Sequence, residues 1–168
     1  MSLLNISAFL VFISVTVVGC SRTPAEKTDL VCLKRPDLRL VVATIMRDQR
    51  GIEQSLQEGA DANTSVEGLA PPIVIAALTD SYDAVKLLLD KGANINASDS
   101  QGYTALINAS LNNNGKIVQL LLARGADVNA SAYPIINGKK VKLTALMIAK
   151  SKGQDEIAQS LTEAGAKE

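Results

Sequence analysis

Aligned on itself, the chain brings four short segments into phase. Gly59-Ala60-Asp61-Ala62-Asn63, Gly92-Ala93-Asn94-Ile95-Asn96, Gly125-Ala126-Asp127-Val128-Asn129 and Gly165-Ala166 begin 33, 33 and 40 residues apart. Twenty-one residues before each glycine stands a second recurring segment: LRLVVA from Leu38, PPIVIA from Pro71, TALINA from Thr104 and TALMIA from Thr144. A fixed period of this length constrains the fold more than any single motif. Each unit is too small to bury its own apolar face, so consecutive units must stack and share one continuous core.

Within each unit the pattern is helical. Leu40, Ile73, Leu106 and Leu146 take the third position of the recurring segment, and the small Ala43, Ala76, Ala109 and Ala149 follow where stacked helices must approach closely. A second helix follows in each unit, with Ile52 and Leu56, then Val85, Leu88 and Leu89, then Val118, Leu121 and Leu122, then Ile157 and Leu161 at helical spacing. Thr104 and Thr144 are placed to cap the first helix, and the repeated glycine fits a left-handed residue closing the second. At 168 residues, with 47% hydrophobic and only 3% aromatic residues, the core must be built from Leu, Ile, Val and Ala.

The period and the Thr-Ala-Leu segments resemble the ankyrin repeat and its T-P-L-H-x-A signature over residues 33 to 168. The resemblance implies an all-α ankyrin-repeat solenoid of four helix-turn-helix units joined by β-hairpin fingers, with repeats at about 33–65, 66–98, 99–131 and 132–168. The signature histidine is replaced by Val41, Val74, Ile107 and Met147, so apolar packing is expected where that family uses hydrogen bonds between loops. The first unit lacks the threonine and the finger glycine, with Leu38 and Pro36 in their places, and the last carries Gln154, Asp155, Gln159 and Glu163 on its second helix. Both read as capping units.

A spacing of 40 in place of 33 predicts about seven extra residues in the finger before the last unit, within ASAYPIINGKKVKL at 130–143. Asn137-Gly138 is a preferred two-residue hairpin turn, flanked by Tyr133, Ile135 and Ile136 on one side and Val141 and Leu143 on the other. Lys139, Lys140 and Lys142 give this hairpin a local positive charge, either solubilising or aimed at an acidic partner surface.

The N-terminus has a different character. Leu3 to Val18 is an apolar run shorter than the roughly 20 residues a membrane-spanning helix needs, and it ends in Gly19-Cys20, as a secretory leader ends in small residues. Val17, Val18, Gly19 and Cys20 resemble the lipobox of bacterial lipoproteins. That resemblance implies a signal peptide at 1–19, diacylglycerol on the Cys20 thiol, cleavage before it, and a lipidated N-terminus and linker at 20–32. Only Met1-Ser2 precedes the run, with no Lys or Arg, so an uncleaved anchor is the alternative; either tethers the domain to a membrane. Ser21 after the cysteine implies the periplasmic leaflet of the outer membrane. Cys32 then stands alone, as a buried small hydrophobe or as a thiol open to an intermolecular disulfide.

Chemistry-bearing residues are scarce. Histidine and tryptophan are absent, and Cys20 and Cys32 are the only cysteines, which removes the usual metal ligands and neutral-pH proton shuttles. The carboxylate pairs Asp80 with Asp83 and Asp155 with Glu156 sit at entries to second helices, where acidic residues suit the positive end of the helix dipole. Neither a phosphate-cradling loop nor a nucleophile elbow is present, so no enzyme and no cofactor is expected. Seventeen basic and 17 acidic residues cancel, which argues against nucleic acid.

The ankyrin resemblance implies a monomeric, non-catalytic module that binds another protein along the concave face made by finger tips and first helices. On this sequence that face takes in Glu67, Gly68 and Ala70, then Ser100, Gln101 and Tyr103. The helix positions are Leu78 and Thr79, Leu111 and Asn112, and Ser151 and Lys152. Tyr133, Asn137, Lys139, Lys140 and Lys142 complete it from the long hairpin. Small exported ankyrin lipoproteins resemble proteins encoded beside antibacterial effectors, which implies an immunity-type inhibitor of a periplasmic effector. A scaffold for a resident periplasmic enzyme, or a general envelope adaptor, are the alternatives.

Overall fold

The structure is a computed structural model of the chain and describes residues 35–66 and 68–167. The proposed leader, Cys20, Cys32 and Glu67 therefore lie outside the described residues. Eight helices occur among the described residues: α1 (Pro36–Ile45), α2 (Gln49–Gln57), α3 (Pro72–Leu78), α4 (Tyr82–Asp90), α5 (Ala105–Leu111), α6 (Gly115–Ala123), α7 (Ala145–Ser151) and α8 (Asp155–Glu163). Each odd-numbered helix packs on the even-numbered helix that follows it. The odd helices also stack on one another in sequence order, as do the even ones, giving two helical layers.

The core lies between the layers and is aliphatic, as the aromatic-poor composition requires. Leu40, Ile52, Ile73, Leu88, Leu106, Ile107, Ile117, Leu121 and Leu161 are among its largest fully buried side chains. The small residues Ala76, Ala109 and Ala149 are completely inaccessible at the helix contacts. Val41, Val74 and Ile107, which stand where the signature histidine would, are buried as expected. Met147, at the same repeat position, is 42% exposed.

Local chemistry fixes the helix ends. Thr104 Oγ1 accepts from the Ile107 N–H at 3.4 Å and Thr144 Oγ1 from the Met147 N–H at 3.2 Å, the caps expected of them. Helix α1 departs from expectation. It has 10 residues where α3, α5 and α7 have 7, because Pro36, whose ring fixes a helical φ, starts it a turn early. Val42 on this helix and Met46 in the turn after it are exposed.

One requirement of the fold is hidden in the sequence. The turn between the paired helices places Arg47, Asp80, Asn113 and Gly153 in the left-handed region, with φ of 58, 61, 58 and 65°. The four positions follow the same 33, 33 and 40 spacing, and only the last is glycine. Asp80 Oδ1 accepts a 2.6 Å hydrogen bond from Asn114 Nδ2 in the corresponding turn of the next unit, so this carboxylate is a structural group.

The recurring Gly-Ala-Asp/Asn-x-Asn segment also acquires a physical meaning. Its glycines close the even helices with φ between 80 and 92°. In the next step of the motif, Asp61, Asn94 and Asp127 accept from the N–H two residues on, at 2.8, 3.0 and 2.9 Å. The asparagine so positioned reaches the following unit. Asn63, Asn96 and Asn129 accept from the N–H groups of Asn94, Asp127 and Lys167 at 2.6, 2.8 and 2.8 Å. At the N-terminal end Asp37 supplies the equivalent bond to the Asp61 N–H.

Asn63 also donates to the Gly92 carbonyl at 3.0 Å, so it makes two bonds across the joint. Asn63→Ala is expected to lower stability by about 1–2 kcal/mol, at about 1 kcal/mol per hydrogen bond lost. Asn63→Asp keeps the acceptor and should recover about half of that loss. Urea unfolding followed by circular dichroism checks the order of the three proteins.

Candidate protein-binding surface

Loops join the successive helix pairs, and two of them are closed by short antiparallel pairing. The first closes through an isolated antiparallel bridge between Ser98 and Thr104. The second closes through β1 (Ser131–Ala132) paired with β4 (Leu143–Thr144), in which Ser131 faces Thr144. Inside the second, β2 (Ile135–Ile136) pairs with β3 (Lys139–Lys140), with Ile135 opposite Lys140 and Ile136 opposite Lys139. Asn137 and Gly138 turn the chain with φ of 51 and 75°, the two positive values of a type I′ turn.

The two loops are joined by their backbones. The Tyr133 N–H donates to the Gln101 carbonyl at 2.7 Å, and Gly102 lies against Ser131 and Ala132. Gln101 thus contributes its main chain to holding the hairpin, and its side chain is exposed, like that of Ser100. Tyr103 is half-buried and packs against the core. Its N–H donates to Asp99 Oδ1 at 2.9 Å. Burial, reinforced by the Asp99 carboxylate, raises the pKa of its phenol above the ordinary value, so the ring stays neutral at physiological pH.

The hairpin is the most exposed apolar feature. Tyr133 is 50%, Ile135 67% and Ile136 46% exposed, and Asn137, Lys139, Lys140 and Lys142 are exposed around them. The two ion pairs among the described residues are Arg39 with Glu58 and Arg124 with Asp90, so the three hairpin lysines have no carboxylate partner. Ile135 and Ile136 read from the sequence only as strand formers. Their alternation on a two-residue hairpin was the signal that at least one must face solvent.

On the helices, Leu78 is 56% exposed and Leu111 is partly so. Asn112 and Lys152 are exposed but engaged. Asn112 Nδ2 donates to the carbonyls of Ala77 and Leu78 at 3.1 and 2.9 Å, and Lys152 Nζ donates to the Leu111 carbonyl at 2.7 Å. Each ties its unit to the C-terminal carbonyls of the preceding first helix, where donors and positive charge are favoured. Sequence reasoning offered both as partner contacts and missed this role; their matched repeat positions were the available signal.

A family model described as Ankyrin repeats (3 copies) matches residues 40–132, more than half of the chain. The chain belongs to the ankyrin-repeat family, whose domains are generally non-catalytic modules for protein–protein interaction. A search of the curated proteins gave no match. Among the described residues no group of three or more His, Cys, Asp or Glu side chains is placed to hold a metal ion, and no helix is long and apolar enough to cross a membrane.

Proposed function

We propose that this protein is a monomeric, lipid-tethered binding module of the bacterial envelope. In this reading residues 1–19 are a signal peptide, Cys20 is the lipidated N-terminus of a linker reaching to 32, and 33–168 form four ankyrin units. The last finger is lengthened by about seven residues. The two finger closures support that count, since Ser98 and Thr104 are 6 positions apart and Ser131 and Thr144 are 13. The partner is a protein, held by the concave face and the long finger, with no cofactor and no nucleic acid involved. The sharpest form of the reading is an immunity-type inhibitor of a secreted effector that arrives in the periplasm. Scaffolding of a resident periplasmic enzyme is the second form.

The observation that carries the binding role is the projecting hairpin, whose exposed apolar and cationic residues have no partner among the described residues. Two measurements test the reading. Radiolabelled palmitate should enter the wild-type chain and not Cys20→Ser, which should move to the soluble periplasmic fraction. Co-purification from detergent-solubilised envelopes should return one stoichiometric protein. Its identity as an antibacterial effector or as a resident enzyme separates the two forms, and a chain that purifies alone with or without effector present rejects both.

A further inference from the structure

The register of the long hairpin divides its residues between two faces, and the division does not follow the sequence clusters. Ile135 pairs with Lys140 and Ile136 with Lys139. The Val141 N–H donates to the Pro134 carbonyl at 3.0 Å, which carries the pairing one step further and sets Tyr133 opposite Lys142. Residues two apart on a strand, and residues paired across strands, share a face. One face therefore holds Tyr133, Ile135, Lys140 and Lys142. The other holds Pro134, Ile136, Lys139 and Val141.

The two faces differ in what covers them. Pro134 is buried and Val141 partly so, and only the tip residues Ile136 and Lys139 on that side reach solvent. All four residues of the first face are exposed, Tyr133 and Ile135 by 50 and 67%. Each of its apolar side chains stands directly across from a lysine whose ammonium has no described carboxylate near it. Paired side chains start about 5 Å apart, and Lys140 and Lys142 are separated by two strand residues, about 7 Å.

We propose that the Tyr133, Ile135, Lys140 and Lys142 face is the docking face of the finger, and that its occupant is an acidic protein surface carrying apolar residues beside its carboxylates. This rests on the protein-binding reading above and specifies the surface. Charge complementarity selects the acidic partner, because two ammonium groups with no carboxylate beside them project together on one face of a chain with no net charge. An anionic bilayer is the other surface that attracts lysine beside exposed apolar groups. Recruitment of that kind uses clusters of about four to eight basic residues, and this face has two. Addition of a partner strand along β3 is disfavoured, because lysines on an edge strand oppose pairing.

The face can be tested in the full chain, expressed in the cells that make it, with the photo-crosslinking residue p-benzoylphenylalanine placed in turn at 135, 136 and 78. Position 135 should crosslink to a protein through a segment containing Asp or Glu, and position 136 should not. Lys140→Glu or Lys142→Glu should each lower the yield from 135 at least about fivefold, whereas the matched reversal Lys139→Glu should change it less than about twofold. Equal losses from all three reversals would mean undirected electrostatics and would overturn the face. Crosslinks to lipid alone would assign the hairpin to the membrane. Protein crosslinks from 78 without any from 135 would reject the finger while keeping the concave-face reading, and none from either position would reject both.

Discussion

Leu121→Ala is expected to lower the stability of the helical stack by about 3 kcal/mol. The side chain is fully buried on α6, the even-layer helix that packs against both α4 and α8, so its loss opens space at two joints at once. Truncation of a buried leucine costs about 2–5 kcal/mol, the larger values belonging to sites whose surroundings cannot collapse. Here Val118, Ile117 and Leu88 are also fully buried around the same layer and are held by helices on either side. In a stack stabilised by nearest-neighbour joints the damage should be directional. Urea unfolding should show a lower midpoint together with a shallower slope, as the last helix pair unfolds before the rest. Hydrogen exchange should place the first opening in α7 and α8. A loss below about 1 kcal/mol with an unchanged slope would mean that α6 relaxes and that the joint is less tightly packed than its burial implies.

The layered architecture was legible in the sequence because its determinants repeat. A side chain that must be buried at Leu40 must also be buried at Ile73, Leu106 and Leu146, and all four are. The lengthened spacing before Thr144 pointed to the long hairpin, and Asn137-Gly138 fixed its turn. Two kinds of information were not legible. The left-handed turn is filled by Arg47, Asp80, Asn113 and Gly153, of which the last three tolerate that conformation but form no repeated residue, and Arg47 gives no cue at all. The second is which polar side chains are already engaged. Asn112 and Lys152 look like free donors in a one-dimensional reading, yet both bond carbonyls 34 to 41 residues away in the preceding unit. A related loss concerns Lys139, Lys140 and Lys142, which lie close together in sequence but are divided by the pleat between opposite faces.

Gly102→Ala should be the most damaging small change in the projecting loops, lowering stability by about 2–5 kcal/mol. Two separate effects add at this position. Its φ is +87°, a backbone conformation that costs a residue with a Cβ about 1–2 kcal/mol. The added methyl would also stand 2.8 Å from the Ser131 carbonyl oxygen and 3.2 Å from the Ala132 Cα, and these are backbone atoms that no rotamer change can move. Relieving such overpacking costs about 1–3 kcal/mol more and pushes the two loops apart. The control is Gly125→Ala, with φ of +80° but nothing within 4 Å of the new methyl, for which about 1 kcal/mol is expected. The separation should be visible at one amide. The Tyr133 N–H, now bonded to the Gln101 carbonyl at 2.7 Å, should exchange faster in Gly102→Ala and at its normal rate in Gly125→Ala. Equal losses of stability in the two variants would show that the contact between the loops contributes nothing, and that the hairpin is positioned by β1 and β4 alone.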